Sequence, residues 1–338
     1  MIKKSFCILF TALLILSCTG GCDYKKNNTQ ELSIVTTCFP PYDFARAVKG
    51  DDSGITMLLS TGSEAHSYEP TPLDILKIQE CDVFIYIGGE DEVWADKILD
   101  SMDTDDKTIV KLIDTVELLE EEEIEGTKSH KHDDNEEHLE YEAEHLECED
   151  VHHECDNEHH HHHHYDEHIW TSPHNAIKMT QAISEALIAS DSANKDFYTK
   201  NTENYINRLN CLDDNYRNMR ENASNNLIVI GDRFPFRYLA AEYDLEFYAA
   251  FSGCSSESEP GVYTMAFLID KILETKTKYV FSLELSTKRL AKKLSDATGT
   301  KTLSLQSCHN VTKEDFENDV TYIDLMEQNL ENLKEALS

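Results

Sequence analysis

The chain reads as an α/β protein of two lobes, each a mostly parallel sheet with flanking helices, joined by a long helix. Short β-branched or continuously apolar runs alternate with helix-period segments, which is the pattern of βαβ units. The alternation breaks off once, at a long stretch of acid and histidine, and then resumes. A length of 338 residues with 40% hydrophobic side chains suits two packed domains.

Taken in order, residues 1–17 read as an export signal. Lys3 and Lys4 open it, and the apolar run 6–16 is too short to span a bilayer. Cys18 follows directly, with Cys22 as the competing site, and residues 18–31 form a polar tether. A small residue followed by Cys resembles a bacterial lipoprotein signal, in which that Cys is acylated; an ordinary cleaved signal is the alternative.

The first lobe is expected over 32–171. Residues 33–37 (SIVTT) form a strand that stops at Pro40-Pro41, and 42–48 a helix. Residues 55–59 (ITMLL) form a second strand. In 70–79, Leu73, Leu76 and Ile78 recur near helical spacing, with Pro72 in the first turn. The apolar run 83–87 (VFIYI) has the look of a buried parallel strand, ended by Gly88-Gly89. A helix over 91–102 and a strand over 108–112 follow. Residues 120–166, almost wholly acid and histidine, lack apolar periodicity and are expected to form a disordered loop.

Linking helices are expected over 172–224. In the first, 175–189, one face carries Ile177, Ala182, Ile183, Ala186 and Leu187. In the second, 193–222, Asp191-Ser192 supplies the cap. The second lobe, 225–338, has strands at 227–230 (LIVI), 245–250, 279–283 and 302–305, and one long final helix over 313–337. Ligands of such folds sit at the carboxyl ends of the strands, here the cleft between lobes.

The formal net charge of −35 repels phosphate, so nucleic acid is excluded as a partner and cations are favoured. Thirteen of the sixteen histidines lie between His130 and His168, six of them consecutive: His159, His160, His161, His162, His163 and His164. Imidazole is a good ligand for zinc, copper and nickel, so this stretch offers many weak auxiliary sites. His66 differs: it follows a strand and precedes a helix. His168 stands where folded sequence resumes.

Around these two residues the chain resembles a family. The run His66-Ser67-Tyr68-Glu69-Pro70-Thr71-Pro72, with Asp74 after it, is similar to the H-x-Y-E-P-T-P-x-D signature of zinc- and manganese-uptake solute-binding lipoproteins of ABC transporters. His168-Ile169-Trp170, with Pro173 and Asn175-Ala176, resembles that family's second histidine motif. The resemblance runs from about residue 33 to the C-terminus. It implies two α/β lobes bridged by a helix, with His66 and His168 as metal ligands.

The family's third ligand, a histidine after the first strand of the second lobe, is absent here. Arg233 stands in its place, and Asp232 is the nearest donor, with a salt bridge to Arg233 or Arg237, or a helix cap, as its alternative role. The fourth, usually a carboxylate after a late strand, corresponds to His309, with Glu257, Glu259 and Glu284 ranked lower. Zinc-uptake members can carry a disulfide in this lobe, and Cys254 and Cys308 both follow strand candidates in an exported chain. A zinc thiolate at Cys308 is the weaker alternative, and Cys148 and Cys155 could ligate or pair within the loop.

The resemblance implies an extracytoplasmic, lipid-anchored monomer that captures Zn2+ between closing lobes and delivers it to an ABC permease, with no catalysis. Manganese or iron uptake would call for more carboxylate. A surface zinc buffer or adhesin would rest on the loop. A zinc hydrolase lacks a His-Glu-x-x-His motif.

Overall fold

The computed structural model describes residues 31–122, 124–126, 164–253, 255 and 259–338. The signal and tether readings, Cys18 and Cys22, Cys148 and Cys155, His159 to His163, Cys254 and Glu257 lie outside them.

In the first lobe, β1 (Ile34–Thr36) lies between β2 (Ile55–Met57) and β3 (Val83–Tyr86), and β3 carries β4 (Thr108–Lys111). All pairs are parallel, with Ile34 opposite both Ile55 and Val83. The two central strands are wholly buried and the two edge strands only partly so, as the continuous apolar runs of β1 and β3 require. The intervening helices are α1 (Phe39–Lys49), α2 (Pro72–Glu80) and α3 (Val93–Asp100). α1 begins at Phe39 rather than after its prolines. Pro40 and Pro41 fall in the first turn, where backbone N–H groups have no helical partner to lose.

α4 (Pro173–Ser190) packs on the first lobe, and α5 (Lys195–Asn222) packs on α4, on α1 and on the C-terminal helix. At 28 residues, α5 spans about 42 Å. A 3-10 turn, Ser192–Asn194, precedes it, and Asp191 accepts from the Asn194 amide and the Tyr198 hydroxyl instead of capping its first N–H groups.

The second lobe repeats the first. β5 (Leu227–Phe234) lies between β6 (Glu246–Ser252) and β7 (Tyr279–Leu283), and β7 carries β8 (Lys301–Leu305), all parallel. The helices between them are α6 (Arg237–Glu242), α7 (Val262–Thr275) and α8 (Arg289–Thr298). Both sheets reverse strand order at their first strand, which opens a crevice at the carboxyl ends. A register shift between Ile230 and Arg233 extends β5 well past the LIVI run and into that crevice.

The expected single C-terminal helix is two. α9 (Lys313–Glu317) stops before Asp319, which adopts φ +56°, and α10 (Tyr322–Leu337) starts from a capping box of Thr321 and Asp324. The acid- and histidine-rich stretch is also anchored further in than its composition predicts. Glu120 and Tyr165 form an antiparallel bridge. The Glu121 N–H donates to His164 O (2.8 Å), and that of Asp166 to Leu119 O (2.9 Å). Ile124 is buried, and Gly126 O accepts from the Thr264 hydroxyl.

One hydrophobic core runs through both lobes and the linking helices. Against this core the buried Asp43 carboxylate, 1% exposed, pairs with Arg46 of its own helix. It also accepts from Tyr205 Oη on α5 (3.1 Å) and from the Tyr322 N–H at the start of α10 (2.9 Å). Phe44 meets Tyr322 edge-on at 5.0 Å.

Candidate metal centre

His66 sits in the loop between β2 and α2, and the residues after it explain why that loop is so tightly specified. Thr71 is the N-cap of α2, Pro72 its first residue, and Asp74 closes a capping box with Thr71 through both side chains. The helix therefore starts at a fixed distance from His66. Tyr68 packs on Trp94 of α3 at 5.5 Å. On the other side, the Gly62 N–H donates to Val311 O of the second lobe.

His168 precedes the 3-10 turn Ile169–Thr171 and is 1% exposed. His309 follows β8 in a turn where Cys308 takes φ +59°. The three imidazoles converge: ring centroids are 5.4 Å apart for His66–His168, 5.3 Å for His66–His309 and 5.8 Å for His168–His309. One ligand atom from each lies within 4.8 Å of the others, and among the described residues this is the only His/Cys/Asp/Glu group of three that meets that bound.

Two of the rings are oriented from behind. His66 Nδ1 lies 2.5 Å from Asp91 Oδ2, and His168 Nδ1 lies 3.1 Å from Asp166 Oδ1, which also accepts the His168 N–H. With Nδ1 held by a carboxylate, Nε2 is left as the nitrogen for a metal, the arrangement that fixes tautomer and ring angle in zinc sites. Burial, and then the two neighbouring imidazoles, hold the His309 pKa well below the ordinary histidine value. It is neutral at pH 7, with a lone pair to give. Zn–N bonds of about 2.0–2.1 Å require the cluster to contract by only roughly 1–1.5 Å.

The cavity around the trio has a volume of about 150 Å³ and is lined from both lobes, by Glu64 and His66 on one side and Asp232, Arg233, Glu284 and His309 on the other. Asp232 lines it but stands outside the close trio, its Oδ1 accepting the Arg233 N–H. The Arg233 guanidinium pairs across the cleft with Glu64 (3.2 Å), and Arg237 pairs with Glu122, so neither ties up Asp232. Glu259 is not among the lining residues. His164 pairs with the exposed Glu90 (2.8 Å), next to Asp91. Cys308 is a fully buried free thiol beside Gln306 O. It is not in the trio, and its expected disulfide partner Cys254 is outside the described residues.

Sequence reasoning missed Asp91, Asp166 and Gly253. Asp166 falls at the end of the stretch whose composition predicts disorder, although an Asp two residues before His168 is a local signal for a turn. Asp91 is 25 residues from His66, and nothing local links them. Gly253, at the end of β6, is a matter of space: a Cβ there would lie 2.9 Å from Phe234 O and 3.2 Å from His168 Cε1.

Comparison with known proteins agrees with this architecture. The chain is 33% identical over 337 residues to the zinc-binding lipoprotein AdcA of Streptococcus pneumoniae serotype 4, covering 99% of this chain and 60% of that protein. It thus spans about three fifths of that relative's length. It is 31% identical over 331 residues to the high-affinity zinc uptake system protein ZnuA of Bacillus subtilis, covering 98% and 95%. Among solved structures, the Zn(II)-bound ZnuA-like domain of S. pneumoniae AdcA superposes with a TM-score of 0.69 at 30% identity, over 90% of this chain and 98% of that domain. The metal-dependent lipoprotein YcdH of B. subtilis gives 0.71 at 28% identity, over 91% and 99%. The family profile of the periplasmic zinc-uptake complex component A matches residues 34–336, and with both lobes and the intervening helices inside that match, the chain belongs to the ZnuA family.

Proposed function

We propose that the protein captures Zn2+ outside the cytoplasm, in the cavity between its lobes, and delivers it to an ABC-type membrane permease without catalysing a reaction. The observation that carries this reading is the convergence of His66, His168 and His309 on one point, from both lobes, with two of the rings oriented by carboxylates. Zinc-binding relatives of the same family support it. Zinc takes the three imidazole nitrogens and completes a tetrahedron with water or with Asp232. An all-imidazole set favours zinc over manganese, a harder ion that prefers oxygen. Three imidazoles and an open position also suit hydrolytic zinc sites, but the family relatives point to transport. Residues 1–17 serve as the signal, and acylation at Cys18 or Cys22 tethers a monomer to the membrane.

The continuous core and the direct bonds between lobes bear on how the ion is captured. Asn310 Nδ2 donates to both Ser60 O and Ser63 O, so the His309 turn is stitched to the His66 loop. Contraction of these loops around zinc, rather than a wide hinge rotation of the lobes, fits that stitching.

Zinc affinity measured against a competing chelator tests the reading. His66→Ala, His168→Ala and His309→Ala should each weaken binding by at least about tenfold, roughly 1.4 kcal/mol. Wild-type affinity in all three would remove the site. Zinc-dependent growth of cells carrying the variants then tests transport separately from binding.

A further inference from the structure

We infer that Glu284 is a positioning residue for zinc, acting through Ser307 to place His309; this rests on His309 being a ligand, as proposed above. Glu284 follows β7 and lines the metal cavity, so as a carboxylate beside three imidazoles it has the look of a fourth ligand. Its hydrogen bonds assign it otherwise. Oε2 accepts the Ser307 N–H at 2.9 Å and Oε1 accepts the Ser307 O–H at 2.6 Å. Both oxygens are engaged by one residue, in a two-point clamp.

Ser307 is the junction from which His309 is hung. Its Oγ accepts the His309 N–H at 3.2 Å, and its carbonyl accepts Trp170 Nε1 at 2.7 Å. Trp170 lies two residues after His168, and its ring is 4.7 Å from that of His309. One serine therefore links the backbone that carries His309 to the segment that carries His168. The turn between them needs such a hold. Cys308 sits at φ +59°, a region that costs a non-glycine residue energy and persists only when its surroundings impose it. Gln306, on the near side, is fixed by Asn329, which donates to its carbonyl and accepts its N–H. Glu284 supplies the hold on the Ser307 side. Among the described residues no carboxylate is hydrogen-bonded to the His309 ring as Asp91 and Asp166 are to the other two, so its orientation depends on the backbone. A two-point hydrogen-bonded clamp on the residue two before it is the means the structure provides.

A double-mutant cycle separates this role from direct ligation. Zinc affinity is measured by chelator competition for the wild type, Glu284→Gln, His309→Ala and the double variant, with thermal unfolding of each zinc-free protein to show that it folds. Glu284→Gln keeps the shape and loses one of two acceptors, and it should weaken zinc binding roughly tenfold, in the range for partners that orient ligands. The double variant should bind no more weakly than His309→Ala alone. With Co2+ in place of zinc, Glu284→Gln should shift the visible bands toward those of His309→Ala, and Ser307→Ala should do the same. If the two losses multiply, Glu284 acts on the ion itself and the inference is overturned. It is equally overturned if Glu284→Gln binds zinc as the wild type does. Wild-type affinity in His309→Ala would instead overturn the ligand assignment, and the clamp with it.

Discussion

At the scale of single residues, the groups behind the metal centre set two expectations. Glu167, next to His168, is pushed up to about 9, first by burial and then by the nearby Asp91, while its carboxyl accepts the Asp91 N–H. Glu92 is pushed up to about 7 by burial. A carboxyl whose pKa is higher folded than unfolded holds extra protons in the native state, so its stabilisation is full below about 4.3 and is lost as pH rises through the folded value. His309 has the opposite sign, its pKa being lowered, and its contribution is confined to the range below about 6.5. Between pH 7 and 8 Glu167 dominates; above that, the buried thiols of Cys38, Cys81 and Cys308, whose pKa values burial raises, add in the same direction. The zinc-free protein should lose stability between pH 7 and 8, by at most about 1.4 kcal/mol per pH unit, and Glu167→Gln should flatten the slope. Thermal unfolding in chelator at several pH values checks this; an unchanged slope in the variant would remove Glu167 as the cause. Gly253 gives a steric counterpart. In Gly253→Ala the new methyl meets the fixed carbonyl of Phe234 and the His168 ring, so zinc affinity should fall severalfold, whereas a neutral outcome would show that β6 yields there.

At the scale of elements, local rules account for more than the apolar pattern did. The Thr71-Pro72-x-Asp74 run is a helix start, and its capping box sets where α2 begins relative to His66. The same device at Thr321 and Asp324 starts α10 and ends the expectation of one continuous helix. The apolar period runs on across the break because half-buried Phe316 and Val320 pack against the same core that α10 buries its apolar face in. Periodicity therefore missed the break, although Thr321 with Asp324 three residues on was a legible signal. Thr321→Ala removes a cap and should cost about 1 kcal/mol, read as a lower denaturation midpoint with zinc affinity unchanged. A midpoint equal to wild type would mean that packing alone sets that helix start.

At the scale of the whole molecule, the lobes are held together at a polar knot inside the shared core. Asp43 joins α1, α5 and α10 through Arg46, Tyr205 and the Tyr322 backbone. Asp43→Ala leaves Arg46 and two buried donors without this acceptor and should destabilise the fold by about 3–5 kcal/mol. A loss below about 1 kcal/mol in chemical denaturation would show that the core holds the lobes unaided. The acid- and histidine-rich stretch has a sharper boundary than composition suggested. Replacing 127–163 by a short flexible linker should preserve cooperative unfolding and one tight zinc site. Removing 120–166 also deletes the Glu120–Tyr165 bridge, buried Ile124 and Asp166, the carboxylate behind His168. Calorimetry on the two deletions should find tight binding intact in the first and weakened in the second; equal behaviour would count against an anchoring role for the ends.

What the sequence by itself determined was the architecture and the repeat of strand and helix, and it singled out His66 and His168 as the first-lobe half of the proposed centre. Those signals are local: apolar runs, caps, and motifs in which His66 and His168 each stand among their own supporting residues. His309 was reached as the best donor at a family position, not from any pattern around it. Only the tertiary structure decided that His309 meets the other two imidazoles, that Asp91 stands behind His66, that Arg233 pairs with Glu64 instead of with Asp232, and that Glu284 clamps Ser307. Those pairs are separated by 23 to 243 residues in the chain. The hydrophobic effect that brings them together is non-directional, so nothing in a short window of sequence records which polar groups it will place side by side.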